Sequence, residues 1–353
     1  FQDVKIRGVN MAFCGNVPIA AGLSSSSTIV VATLQAAIAL NQFELTSQQF
    51  IDLCGEGEWF VGSRGGAGDH AAIYLGQRGR IAQVGYLPFR VERILDAPRD
   101  YQVIIANSHV KAAKSSTAKH TFNARIADYN LGLELFRQRS PQIADAVEYI
   151  RDIYPEKLGS TTSDIYRMLL KVPERMTRKD FRTMLSAEHK DLIETNFATH
   201  QEPKAYNPRG ILLYGAAEII RARMCVDYLE SGRIEEFGRL MKISHDGDRV
   251  SRPGPDGRYQ AVEEDCSDRC LGGLIADLQS EDPERVLGAQ LYMQPGSYAC
   301  STPEIDQMVD IASAVPGAAG AQIAGAGLGG CIMVLARRER IAAVRQALAK
   351  HYY

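Results

Sequence analysis

Three short segments of this chain combine residue types that can act on phosphate and hydroxyl groups. The first is Pro18-Ile19-Ala20-Ala21-Gly22-Leu23-Ser24-Ser25-Ser26-Ser27, which runs into the apolar, helix-length stretch Thr28 to Leu40. Gly22 permits a tight turn, and the serines offer caps for the helix that follows. Such a helix start presents unpaired backbone N–H groups and the positive end of the helix dipole, where phosphate is the natural guest. Serines that only cap and solubilise a buried helix would read the same way. The second segment is Gly62-Ser63-Arg64-Gly65-Gly66-Ala67-Gly68-Asp69-His70. Its glycines let backbone approach a ligand closely, and its carboxylate can orient or deprotonate a hydroxyl, the requirement for group transfer to an alcohol. Asp69 would equally serve as a cap for a helical Ala71 to Leu75. The third is Gly325-Ala326-Gly327-Leu328-Gly329-Gly330-Cys331, ahead of a strand over Ile332 to Ala336. No helix follows it, as a dinucleotide fingerprint would need. Cys331 has no nearby base and reads as a small core residue.

The elements that must hold these segments alternate between strand and helix. Val4 to Phe13 reads as a strand feeding the serine loop, Thr28 to Leu40 as a buried helix, and Ser47 to Val61 as a second helix capped by Ser47. Arg80 to Val84 and Tyr101 to Ala106 read as strands, separated by the Pro88 and Pro98 region. From Ala118 to about Gly247 the periodicity is mainly helical, with breaks near Pro155, Pro173 and Pro203 to Pro208. Gly288 to Met293 and then Gln322 to Ala336 return to strand and glycine-loop character, and Arg338 to His351 reads as a charged amphipathic helix. A domain change in the Arg90 to Asp100 region divides the chain into 1–95 and 96–353.

With 353 residues, 45% hydrophobic and 23% charged, the chain has ample material for about two domains. A formal net charge of −2 gives no electrostatic case for nucleic acid or an anionic membrane surface. The seven cysteines are scattered, and only Cys266 and Cys270 lie close, without a second pair to complete a zinc site. That usage fits a reducing cytoplasm. There is no signal-peptide pattern and no uninterrupted apolar run long enough for a bilayer.

In this order and spacing, the three segments resemble the GHMP family of small-molecule kinases, most closely its galactokinase branch. The proline-to-serine loop is similar to the family's phosphate-binding motif, and Gly66-Ala67-Gly68-Asp69-His70 to a galactokinase loop ending in Asp-Gln. Ala319 to Cys331 is similar to its C-terminal glycine motif. Ile105 to Val110, Phe237 to Met241 with Ser244-His245, and Pro303-Glu304-Ile305-Asp306 agree as well, so the resemblance covers nearly the whole chain. It implies an α+β, two-domain GHMP kinase fold: the later part of the ATP-binding N-terminal domain, a ferredoxin-like C-terminal α/β domain, and a cleft between them.

The resemblance further implies transfer of the γ-phosphoryl group of ATP to a hydroxyl of a galactose-like sugar. Gly22, Leu23, Ser24, Ser25 and Ser26, with Gly325, Gly327 and Gly329, would contact the phosphates; Gly66 and Asp69 would meet the sugar, Asp69 acting on its hydroxyl. Mg2+ would be held by the Ser26 hydroxyl (Ser25 is an alternative) and by a glutamate, Glu58 by alignment with Glu56 open. Such catalysis rests mainly on positioning and charge neutralisation. Trp59 and His70 read as packing residues, and His109 and His245 lack adjacent partners. The sugar-contacting tyrosine of galactokinases has no counterpart in Ala118-Lys119-His120-Thr121-Phe122, which leaves the sugar open. The chain starts at Phe1 in a strand-like stretch, and the family's first motif would lie upstream. The expectation is therefore of a longer protein whose own N-terminal segment is a partner. The alternative is a catalytically silent, galactokinase-like sugar or ATP sensor acting through a protein partner. A nicotinamide-dependent oxidoreductase is excluded, because no strand–glycine loop–helix unit carries an acidic residue at ribose distance.

Overall fold

Residues 6–19, 21–60, 67–85, 89–111 and 117–353 are described by the computed structural model, and the chain falls into two units, 1–101 and 102–353. In the first, helices α1 (Ser25–Asn41), α2 (Ser47–Trp59) and α3 (Gly68–Leu75) precede a hairpin of β1 (Arg80–Gly85) and β2 (Arg90–Asp96). The hairpin is antiparallel, pairing Arg80 with Asp96 and Gly85 with Arg90 around a bulge at Gln83/Val84. Val31, Phe50, Ile51, Cys54, Ala71 and Phe89 form the core, with the Phe50 and Tyr74 rings stacked at 4.2 Å. The cap of α2 is Thr46 rather than Ser47: its Oγ accepts from the Gln49 N–H at 3.2 Å while the Gln49 side chain accepts from the Thr46 N–H at 3.0 Å. A serine one residue later is already helical and cannot make this reciprocal bond.

Three further expectations for this unit fail. Residues 6–16 carry no regular structure, and Ile6, Val9 and Phe13 are exposed. β propensity makes a strand only where a neighbouring strand satisfies the backbone; among the described residues no strand pairs with this stretch, and the Arg7 N–H donates instead to the Asn41 side chain at 2.7 Å. α1 is not a buried helix either: Val31 and Ser27 are covered, whereas Ile29 and Leu40 are exposed. The stretch Arg90 to Asp96, expected to be only a separator, is β2; both of its faces are largely exposed, so it shows no burial alternation to read.

The second unit begins with β3 (Tyr101–Asn107) and α4 (Thr117–Arg139). It continues through α5 (Pro155–Leu158), α6 (Thr162–Leu169), α7 (Arg178–Met184), α8 (Lys190–Phe197), α9 (Pro208–Glu230) and α10 (Ile234–Asp248). A small hairpin of β4 (Ser251–Pro253) and β5 (Tyr259–Ala261) leads to α11 (Asp268–Asp277), α12 (Pro283–Gly288) and α13 (Pro303–Ser313). β6 (Ala318–Ile323), β7 (Cys331–Arg337) and α14 (Ile341–His351) follow. The expected breaks act as helix starts: Pro155 and Pro208 occupy the first turns of α5 and α9, where a missing N–H costs nothing. Gly288 to Met293, expected as a strand, is the end of α12 and a single 3-10 turn. Its short apolar run fits either state, and arbitration falls to packing, which buries Leu291 in the helical core.

Two cores serve this unit. One lies among helices and includes Leu131, Phe136, Ile165, Tyr166, Phe181, Tyr206 and Leu212. The other surrounds a three-stranded sheet of order β3-β7-β6, in which β6 and β7 are antiparallel; Ile305, Met308 and Val309 of α13 and Val344 and Leu348 of α14 pack on it. Cys331 is buried here, its thiol pushed up by burial, as a small core residue should be.

On α4, Asp128 is fully buried; it accepts from the Asn207 N–H at 3.1 Å, and Arg125 lies 3.9 Å away. Burial outweighs both contacts and pushes its carboxyl up to about 7. A carboxyl raised above its unfolded value near 4 supports the fold fully below that value, and the support is lost as pH rises through about 7. Asp128→Asn keeps an acceptor for Asn207 and removes the charge. It should therefore raise the melting temperature, by more at pH 8 than at pH 5. A gain independent of pH would show that Asp128 does not titrate in this range.

Candidate active site

The serine loop enters α1 through left-handed backbone. Gly22 has φ 71°, and Ser24, the residue before the helix, has φ 54°. Glycine adopts this conformation freely; for Ser24 it stores strain of the kind that persists where a loop shape is required. The expected side-chain cap is absent, because a left-handed Ser24 cannot aim its hydroxyl back at the first turn. Its carbonyl instead accepts from both the N–H and the hydroxyl of Thr28, each at 3.0 Å. The first turn of this 17-residue helix thus has no serine covering its N–H groups.

Ser26 is exposed, and Ser27 is buried, donating its hydroxyl to Glu58 Oε1 at 3.1 Å. Ser27, rather than the neighbouring Ser26, thus makes the hydrogen bond to Glu58. Neighbouring helix positions point about 100° apart, so only one of the two serines can face α2. Glu58, in the last turn of α2, is 8% exposed, whereas Glu56 is exposed; of the two glutamates left open by the sequence, Glu58 faces the serine helix. The same carboxylate raises the neighbouring Cys54 thiol to about 11, second to burial as the cause. Gly55 lies beside the start of α3, where a Cβ would make ordinary contact with the Ala67 Cβ at 3.4 Å.

Asp69 stands in the first turn of α3, exposed, where a negative charge favours the helix dipole. Its neighbour His70 points the other way and is buried at 1%, its Nε2 3.5 Å from Glu58 Oε2. The first turns of α1 and α3 and the last turn of α2 thus meet around one carboxylate. Gly66 lies outside the described residues.

The glycine loop of the second unit has its own anchors. Gly325, Gly327, Leu328, Gly329 and Gly330 all have positive φ, from 59° to 124°. A Cβ on Gly327 would lie 2.1 Å from the Cys300 carbonyl oxygen, and the same oxygen accepts from the Leu328 N–H at 2.6 Å. On the other side, the Ser108 hydroxyl and N–H donate to the Gly330 carbonyl at 2.6 and 2.8 Å, and the Gly330 N–H donates to the Val110 carbonyl. Gly325 and Ala326 remain exposed at the tip, while Gly329 and Gly330 are buried. The segment around Cys300 is itself tied to α10, since Tyr298 and Ala299 donate to the Gly247 carbonyl and Ser301 donates to that of Asp248. Asp248 accepts from the Tyr214 hydroxyl at 3.1 Å, yet burial first and the Glu218 charge second push its carboxyl up to about 7.

His245, which showed no partner in sequence, has one in space. It is fully buried with its Nε2 3.2 Å from Asp306 Oδ1, and Asp306 Oδ2 accepts from the N–H groups of Val250 and Ser251 and from the Ser251 hydroxyl. Burial works against that charge, but these donors prevail and hold the Asp306 carboxyl below its usual range. Among the described residues no helix is long and apolar enough to cross a membrane.

The two-unit α+β fold, with a serine loop opening a helix in one unit and a glycine loop between antiparallel strands in the other, is that of a small-molecule kinase. The family model for the N-terminal domain of GHMP kinases matches residues 1–77, and that for their C-terminal domain matches residues 274–353. Both ends of the chain are thus similar to GHMP kinases, and its fold is theirs. The chain is also 23% identical over 356 residues to the galactokinase of Dictyostelium discoideum, a match covering 99% of this chain and 65% of that protein. It is 24% identical over 370 residues to the galactokinase of Schizosaccharomyces pombe, covering 99% and 66%. A crystal structure of Lactococcus lactis galactokinase complexed with galactose superposes with a TM-score of 0.62 at 18% identity, over 96% of this chain and 64% of that one. The chain thus spans about two thirds of the length of these galactokinases.

Proposed function

We propose that this protein transfers the γ-phosphoryl group of ATP to a hydroxyl of a galactose-like monosaccharide or derivative, in the cytoplasm. The observation that carries this reading is the meeting of the α1 first turn, Glu58 and the Asp69-bearing first turn of α3, in a chain aligned with galactokinases along 99% of its length. Backbone N–H groups from Gly22 to Ser26 hold phosphate at the positive end of α1. Asp69, exposed and close in sequence to the buried cluster, accepts or orients the acceptor proton. The Gly325, Gly327 and Gly329 loop offers a second set of backbone donors, kept in shape by Cys300 and Ser108.

A magnesium ion fits the hard oxygen donors of the first unit, a buried carboxylate beside serine hydroxyls; Glu58 with Ser26 or Ser27 would hold it. When bound, it supplies neutralisation of phosphate charge. The stretch Ala118 to Phe122 holds no counterpart of the tyrosine that contacts the sugar in galactokinases, so the preferred sugar is a galactose relative rather than galactose by default.

ATP consumption measured over a panel of monosaccharides, sugar acids and sugar phosphates tests the proposal, with stimulation by a galactose-like member expected. Nucleotide binding without turnover on any sugar would favour the sensor. A second measurement isolates the serine loop: Ser26→Ala should weaken magnesium–ATP at least about tenfold by calorimetry. Thermal stability should barely change, since exposed substitutions stay within about 0.5 kcal/mol. Unchanged affinity would remove Ser26 from the site.

A further inference from the structure

The turn that grips the glycine loop is itself held by two tyrosines. Asn107 to Val110 closes β3, and besides binding Gly330 it contains a residue in an unfavourable conformation: His109 has φ 59°. A left-handed residue other than glycine stores strain, and it persists only where its surroundings hold it there. Here the holders are identifiable. The Asn107 side chain accepts from the His109 N–H at 2.9 Å, and the Ser108 hydroxyl accepts from the Val110 N–H at 3.2 Å. Just past α14, the Tyr352 hydroxyl donates to the Ser108 carbonyl at 2.6 Å, and the Tyr353 hydroxyl donates to the Asn107 carbonyl. The Tyr353 ring also meets His109 edge-on, with centroids 5.3 Å apart.

We infer that Tyr352, supported by Tyr353, is a positioning residue for nucleotide: through the 107–110 turn its hydroxyl sets the shape of the Gly325 to Gly330 loop. This inference rests on the reading in which that loop contacts the phosphates. Ser108 is the link, because its carbonyl accepts from Tyr352 while its N–H and hydroxyl both donate to Gly330. Gly330 is buried at the base of the loop and Gly325 exposed at its tip, so the base is the place from which the loop can be held without covering its donors. Four glycines with positive φ make the loop expensive to order. With the turn fixed, that cost is met on folding; with the turn loose, it falls on binding and weakens the ligand. Burial first pushes the Tyr352 hydroxyl up to about 12, so it stays a donor at neutral pH.

Calorimetry of magnesium–ATP binding to the full chain tests this. Tyr352→Phe keeps the ring and removes the hydroxyl. It should weaken binding about three- to tenfold, since an effect passed through one hydrogen bond is bounded by what that bond contributes. Ser108→Ala should also weaken binding, and the double variant should lose less than the product of the two, because both substitutions act on one path. Tyr166→Phe is the control. It removes a hydroxyl that donates to the Ala289 carbonyl at 2.8 Å in the helical core, and should lower the melting temperature without changing affinity. A loss of affinity in Tyr352→Phe no larger than in Tyr166→Phe, while Ser26→Ala still weakens binding, would overturn the role of Tyr352 and leave the kinase reading intact. Losses that multiply in the double variant would do the same. Absence of magnesium–ATP binding to the unaltered chain would overturn both.

Discussion

Asp69→Asn should leave magnesium–ATP affinity within about twofold and lower sugar-dependent phosphoryl transfer by a factor on the order of 10² or more. Amide and carboxylate have nearly the same shape, so the substitution removes the proton acceptor and little else. The structural role of Asp69 is modest. It is an exposed acid in the first turn of α3, and its interaction with the helix dipole contributes about 0.3–1 kcal/mol. A loss of that size could lower the melting temperature slightly but could not account for a hundredfold fall in rate. Single-turnover kinetics with saturating ATP separates binding from transfer. Near-normal turnover would return Asp69 to the helix start alone.

The largest stability effect is expected at Gly238 of α10. A Cβ there would lie 2.3 Å from the carbonyl carbon and oxygen of Ala319, and one on Gly320 would lie 2.3 Å from the Gly238 carbonyl oxygen. Helix backbone therefore rests directly on strand backbone, with no flexible side chain to give way. Gly238→Ala must separate α10 from β6, which leads into the glycine loop, and loosen the helix that carries His245 and Asp248. A loss of about 3 kcal/mol or more is expected from overpacking at such a contact. Gly272 in α11 is the matched control, since a Cβ there meets nothing within 4 Å; Gly272→Ala should instead stabilise by about 0.5–1 kcal/mol through helix propensity. Chemical denaturation of both variants checks the pair. Equal stability would mean that α10 and β6 separate without cost.

The Gly238 contact also shows why the segment Phe237 to Met241 carried a resemblance without evident chemistry. Its glycine is required by an approach to a strand far along the chain, which no local pattern displays. The same holds for His245 and Asp306, each readable as part of a motif but not as a pair. Residues 6–16 show the reverse failure: their composition favours a strand, yet pairing is a property of a neighbour. The Ser24 cap failed because the residue type suits two backbone conformations, and the loop adopts the left-handed one.

By itself, the sequence determined what depends on local spacing: the helix after the serine loop, the breaks in helix at Pro155 and Pro208, the strand behind the glycine loop and the buried Cys331. These follow from periodicity, proline geometry and small-residue composition within a few turns of chain. Tertiary structure alone decided that Ser27 rather than Ser26 meets Glu58, that Glu58 rather than Glu56 is covered, that His70 faces the same carboxylate, and that Cys300 and Ser108 hold the glycine loop. Each of these depends on the rotational phase of one helix against another, or on hydrogen bonds between segments far apart in the chain. A turn of 100° per residue separates a residue that faces Glu58 from its exposed neighbour, and packing sets that phase.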